Sequence, residues 1–136
     1  MYDNPPSDDR VLHSDTASTD ERDMRSALLR GWRRRCPCCG TGPLLKGYLK
    51  LRDRCAVCAQ DMTHARADDG PAYLTILIVG HIMAPALLWV FVAFRPEPLI
   101  LATLFSVGCV ALSLYLLPRL KGLIVGVQWA RHMHGF

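Results

Sequence analysis

Residues 72–117 read AYLTILIVGHIMAPALLWVFVAF-RPEP-LILATLFSVGCVALSLYLL, and this stretch decides the fold. Residues 72–94 hold no Asp, Glu, Lys or Arg, and neither do residues 99–117. Each segment is close to the roughly 20 apolar residues that a helix needs to cross a hydrocarbon core. The four residues between them, Arg95-Pro96-Glu97-Pro98, suffice only to turn the chain back. Two antiparallel spans are therefore expected, with both chain ends on one side.

The charges outside this stretch support that reading. Residues 1–71 carry twelve of the sixteen Lys/Arg and eleven of the twelve Asp/Glu, a segregation that a soluble globule of 136 residues would not show. Mean hydropathy is +0.16, high for so short a chain. Lys50, Arg52, Arg54, Arg66, Arg119, Lys121 and Arg131 flank the spans, whereas the turn holds only Arg95. The positive-inside rule then puts both termini in the cytoplasm, in a multi-pass protein of a plasma membrane.

Upstream of the spans stand Cys36, Cys39, Cys55 and Cys58, two C-x2-C pairs separated by fifteen residues. That is zinc-ribbon spacing. Two tight turns aim four soft thiolates at one tetrahedral ion, so these four are the expected ligands of a structural zinc. Gly40 suits the positive-φ position after the first pair, and Ala59 holds the matching place after the second less comfortably. Leu44, Leu45, Tyr48, Leu49 and Leu51 suggest a two-strand hairpin over the metal, with too little apolar bulk to form a core without it. The first 26 residues are acidic and lack an apolar core, so they do not read as a signal peptide. Reduced thiols on the cytoplasmic side fit a metal better than disulfides.

The expected organisation is an acidic disordered leader (1–25), a basic ribbon-like head (26–66), a transmembrane hairpin (67–117) and an interfacial amphipathic tail (118–136), with a tilted continuation of the second span as the other reading of that tail. The fold class is thus membrane, mainly α: a two-helix hairpin with a small N-terminal zinc-ribbon-like head and a C-terminal amphipathic helix. Residues 1–23 have a balance of −5 and residues 24–66 of +8, so the leader and the head attract. Leu28, Leu29 and Trp32 would touch headgroups or cap the ribbon. Asp69 and Pro71 look like a helix cap and first turn, with a cation site at His64, Asp68 and Asp69 as the competing reading. Pro85 should kink the first span. His81, four residues earlier, is read as a hydrogen bonder to the neighbouring helix, ahead of a haem or copper ligand or a proton relay. Ala102, Ser106, Cys109 and Ser113 form a small-residue stripe for close helix packing.

The marks CPCCG (36–40), GPLLKGYLK (42–50), CAVC (55–58), DDGPAY (68–73), Gly80-His81 with Pro85 and Trp89 downstream, and LLPRLKGLIVGVQW (116–129) resemble a bacterial family. It is the family of small membrane proteins known as domain of unknown function 983, and the resemblance covers about residues 30–131. It implies a CPxCG…CxxC head before two transmembrane helices, with Cys36, Cys39, Cys55 and Cys58 as metal ligands. Asp69, Gly70 and Pro71 match its motif before the first span. Pro118, Arg119, Lys121, Gly122, Gln128 and Trp129 match its motif after the second. Ala59 departs from the glycine that the pattern implies. The resemblance carries no settled activity, only an association with cytochrome c oxidase genes and assembly factors.

No nucleophile elbow, HExxH or P-loop is present, and no small-molecule substrate suggests itself. The expected function is therefore a non-enzymatic inner-membrane accessory or assembly factor for a respiratory oxidase complex, contacting lipid and a membrane protein partner. Two alternatives stay open. Cys36, Cys38 and Cys39 with His132 and His134 offer a copper-handling set. Arg30, Arg33, Arg34 and Arg35 offer a membrane-tethered nucleic-acid-binding ribbon, the reading that the residues favour least.

Overall fold

The structure, a computed structural model, describes residues 22–136; the expected leader lies outside the described residues up to position 21. It is mainly helical: α1 (Met24–Trp32), α2 (Gly70–Phe94), α3 (Pro98–Ala130) and a terminal 3-10 turn (Met133–Gly135). Residues 33–69 form the head between α1 and α2.

α1 begins inside the stretch expected to be leader, because Asp23 caps it. The Asp23 carboxylate accepts from the Arg25 N–H at 3.1 Å, and the Ser26 hydroxyl donates to the Asp23 carbonyl at 3.0 Å. α2 and α3 are antiparallel and apolar, each with a window of mean hydropathy 2.3, long enough to cross a membrane. Arg95 ends α2 in the left-handed region at φ 44, its N–H bonded to the Phe91 carbonyl. Glu97 and Pro98 then open α3.

α3 corrects the expected separate tail after residue 117 and follows the other reading, a continuation of the second long helix. It runs 33 residues without interruption through Pro118, about 50 Å at 1.5 Å per residue, so residues 118–130 are no separate amphipathic helix. Proline at 118 removes the N–H that would bond the Leu114 carbonyl. The Tyr48 hydroxyl donates to that carbonyl instead, which lets the helix pass the proline with its acceptor satisfied.

The two halves of α3 have different surroundings. From Pro98 to Tyr115 only Leu101 is buried, while Leu116, Pro118, Leu120, Gly122, Val125, Gly126, Gln128 and Trp129 are buried below. The lower half is covered by α1, which lies against it backbone to backbone. A Cβ on Gly122 would strike the Gly31 carbonyl, one on Gly31 would strike that of Gly122, and one on Gly126 would come within 2.6 Å of the Ala27 carbonyl. Gly122 and Gly126, four residues apart on one face, are what permit this approach.

Two apolar clusters result. Val79, Leu116 and Leu120 pack with Trp32, Leu74 and Ile78 where α1, α2 and α3 meet. Cys36, Leu44, Cys55, Met62 and Ala67 of the head pack on Val125 of α3, with Phe136 folded back against them.

The head contains no ribbon hairpin of regular strands. It has isolated antiparallel bridges at Arg35–Pro43, Leu45–Leu51 and Arg54–Asp61. Positive-φ residues at Gly40, Gly47 and Ala59, with Pro43 unable to donate, break the ladder after each pair.

Three side-chain expectations also change. Asp69 occupies the cap position of α2 without a capping bond from its side chain, although Pro71 does sit in the first turn. His81 is exposed and bonds the Leu77 carbonyl of its own helix through Nδ1 at 2.7 Å, since residues four apart on a helix share a face. Ala102, Ser106 and Cys109 line an open apolar groove with Met83, Ala84 and Leu87. One close approach between α2 and α3 falls one position away, where a Cβ on Gly108 would meet Met83 at 3.2 Å, and another at the start of α2, where one on Gly70 would meet Ile124 at 3.2 Å.

Candidate metal centre

Each C-x2-C pair is a tight turn closed by the backbone. The Gly40 N–H bonds the Cys36 carbonyl at 2.8 Å, and the Ala59 N–H bonds the Cys55 carbonyl at 3.1 Å. Gly40 at φ 72 and Ala59 at φ 57 hold equivalent left-handed positions. The second turn thus adopts the geometry of the first in spite of its Cβ. Main-chain bonds fasten the flanks: Cys36 N–H to the Gly42 carbonyl at 2.8 Å, Cys55 N–H to that of Gln60 at 3.0 Å.

The turns face one another and bring the Sγ atoms of Cys36, Cys39, Cys55 and Cys58 within 4.8 Å of one another. Cys36 to Cys58 and Cys39 to Cys55 are each 3.7 Å apart. Four sulfurs at about 2.3 Å from a tetrahedral ion would be separated by about 3.8 Å, so the cluster fits a metal of zinc's size. All four are free thiols. Gly42 preserves the space, since a Cβ there would collide with the Cys55 sulfur.

Donors around the cluster favour thiolates on one side. The Thr41 hydroxyl reaches Cys39 Sγ at 3.4 Å and the Gly42 N–H reaches it at 3.5 Å. These bonds, led by the Thr41 hydroxyl, hold the Cys39 thiol down to about 5. Loss of solvent pushes Cys36 far above its ordinary value and raises Cys58 as well. The Val57 N–H points at Cys55 Sγ at 3.5 Å. A divalent ion would displace the protons of these thiols and bind the resulting thiolates.

Three supports have roles that the sequence does not reveal. Arg30 on α1 donates to the Pro37 and Cys38 carbonyls at 3.0 and 2.9 Å, pinning the first turn to α1. Gln128 on α3 accepts from the Arg66 N–H at 3.0 Å and donates to the Arg66 carbonyl at 2.5 Å. Arg22 lies 4.4 Å over the Trp129 ring and donates to the Trp129 carbonyl at 2.8 Å. The motif after the second span singles out Gln128 and Trp129, but not the contacts that they make.

The remaining candidates stand apart from the cluster. Cys38 is exposed, its thiol outside the four-sulfur group, and Cys109 is exposed on α3. His64 lies 3.9 Å from Asp61 and packs edge-on to Phe136, away from any grouping with Asp68 and Asp69. His132 Nδ1 faces the Phe136 carbonyl at 3.3 Å. Among the described residues the four cysteines are the group of His, Cys, Asp and Glu whose ligand atoms converge.

Residues 45–129, more than half of the chain, match the family described as "Protein of unknown function (DUF983)". The match takes in the second cysteine pair and both long helices and starts after Cys36 and Cys39. No curated protein matches the chain, and no solved structure does. The apolar hairpin, the CAVC turn and the Pro118–Trp129 segment that clasps the head all lie within the matched residues, and the chain belongs to the family of proteins of unknown function DUF983.

Proposed function

We propose that this chain is a non-enzymatic membrane protein in which α2 and α3 cross the bilayer and a zinc-stabilised head of two cysteine turns sits on the cytoplasmic face. The observation that carries this reading is the division of α3 at Tyr115. Above it apolar side chains point outward, with Leu99 73% and Leu104 63% exposed, and Ile76 74% and Phe94 69% exposed on α2. An apolar surface of that extent on a small protein marks contact with lipid or with other proteins. Residues 98–115 cover about 27 Å, close to the roughly 30 Å of a hydrocarbon core. The bases concentrated in the head favour the cytoplasmic side, in a bacterial inner membrane.

Zinc is the metal we assign, because four thiolates at tetrahedral spacing suit it and a closed set of four ligands is structural rather than catalytic. The head then serves as a rigid platform clasped to α3. Its task is to dock a larger membrane complex, which we place among respiratory oxidases as an accessory or assembly factor. The outward face of α2 supports a helix-to-helix contact. Pro85 leaves the His81 carbonyl without its helical donor, and Gly80 and Ala84 beside it give a neighbouring helix room.

The test is purification of the tagged chain in mild detergent after alkaline carbonate extraction, with metal analysis and identification of co-purifying proteins. One zinc per chain and a stoichiometric membrane partner are expected. A chain extracted by carbonate would sink the membrane reading, and absence of a stoichiometric partner would sink the assembly role.

A further inference from the structure

Between the end of α1 and the first loop of the head lies a cleft of about 280 Å³, lined by Arg33, Arg34, Arg35, Pro43, Leu45 and Gly47. Local backbone geometry builds it. Arg34 takes φ 60, which ends α1 and turns the next residues across the 43–47 segment. The Leu44 N–H bonds the Arg34 carbonyl at 3.0 Å, and Arg35 bridges Pro43. Three consecutive arginines therefore line one concavity instead of spreading around a helix. Arg35 spends one N–H on the Thr41 carbonyl at 2.7 Å, and among the described residues no carboxylate lies within 4.0 Å of any of the three. The roughly half unit of negative charge at the end of α1 is outweighed by three guanidinium groups.

The position of the cleft names its ligand. Trp32, the residue before Arg33, has the Arg119 guanidinium 5.5 Å from its ring, and Arg119 also covers Tyr115 at 4.4 Å. Tyr48, next to Gly47 of the cleft wall, bonds the Leu114 carbonyl. Trp32, Tyr48, Tyr115 and Arg119 thus form an aromatic and cationic collar where the outward-facing apolar part of α3 ends. Such side chains settle at headgroup depth. Arginine forks match phosphate oxygens bidentately.

We propose that this cleft binds the phosphodiester headgroup of an anionic glycerophospholipid from the cytoplasmic leaflet, a site that rests on the membrane reading above. Arg33, Arg34 and Arg35 hold the phosphate while the acyl chains run down beside Tyr115 and the apolar face of α3. Bound lipid would orient the head against the membrane plane and keep the partner-binding surface at a set height.

Native mass spectrometry of the full-length, metal-loaded chain in mild detergent tests this, with phosphatidylglycerol and phosphatidylcholine offered together. One phosphatidylglycerol should be retained in preference to phosphatidylcholine. Retention should fall about tenfold or more in Arg33→Gln/Arg34→Gln/Arg35→Gln. A charge-matched control, Arg25→Gln/Arg54→Gln/Arg131→Gln, should keep it. Equal loss in the control, or no headgroup preference in the native chain, overturns the site. Displacement of the lipid by millimolar inorganic phosphate, or by a short single-stranded RNA, overturns lipid as the ligand. If the triple variant loses its metal, Arg33→Glu at an exposed position replaces it, with the same loss expected. Carbonate extraction of the same preparations separates the two failures: a chain that stays integral yet shows no preference refutes the cleft alone, and an extractable chain refutes the membrane reading.

Discussion

The Tyr48 hydroxyl donates to the Leu114 carbonyl, the acceptor that Pro118 deprives of its helical N–H four residues on. A loop of the head thereby supports α3 at its weakest point. Tyr48→Phe should destabilise the chain by about 1 kcal/mol, the usual net loss for one hydrogen bond. In a Pro118→Ala background the same change should have almost no effect, because an alanine at that position supplies its own N–H. Thermal unfolding of the four chains in one detergent measures the coupling, and equal losses in both backgrounds would refute it.

Gln128 is 7% exposed and holds both main-chain groups of Arg66. Gln128→Leu strands a donor and an acceptor in a partly buried setting, a loss of about 1–3 kcal/mol. Proteolysis of the 63–69 segment should quicken while the helical circular dichroism signal holds. Unchanged protection would mean that the clasp is ornamental.

Ala59 stands at φ 57, where a Cβ is strained by about 1–2 kcal/mol. Ala59→Gly should relieve it, and since metal binding and head folding are linked, zinc affinity should rise several-fold. Competition against a chromophoric chelator reads this directly. An unchanged affinity would show that the second turn carries no such strain.

Gly122→Ala drives a methyl group into the Gly31 carbonyl. Overpacking of this kind costs about 1–3 kcal/mol, so α1 should lift from α3. Faster tryptic cleavage at Arg25 and Arg30 is the expected sign, and native-like protection would refute the contact.

Metal binding should release the protons of Cys36 and Cys58, both raised by desolvation, and none from Cys39, held at about 5. At pH 7 the first two are protonated in the metal-free head and the third is a thiolate. Affinity therefore climbs with pH and falls as acid restores those protons. Calorimetry in buffers of differing ionisation heat counts the protons. Cys38→Ser should leave metal content unchanged, because that thiol is outside the cluster, whereas Cys55→Ser/Cys58→Ser should abolish it and unfold the head. Loss of metal in Cys38→Ser would favour the copper reading.

The two apolar helices, their tight turn, the convergence of four cysteines and the left-handed demand at positions 40 and 59 are all legible from spacing and residue type. Those features depend on neighbours in the chain. Whether α3 continues past Pro118 is not legible locally, because the donor that rescues its acceptor, Tyr48, lies 66 residues away. The small-residue stripe at Ala102, Ser106, Cys109 and Ser113 draws attention from the true close contact, Gly31 on Gly122, because a glycine in a helix says only that a backbone approaches. It does not say which one. His81 turns to its own Leu77 carbonyl for a similar reason: a local acceptor is always within reach, and a distant one requires the helices to be rotated to suit.

Hydropathy and short-range turn chemistry act over a few residues, so the apolar helices, the family and the clustered thiols can be read from the order of the amino acids. The clasp among α1, the head and α3, made by Arg30, Gln128 and paired glycines, emerges only on folding, as does the cleft that three arginines share at the edge of the apolar surface. Those arrangements depend on backbones meeting from opposite ends of the chain, and no local preference encodes where they meet.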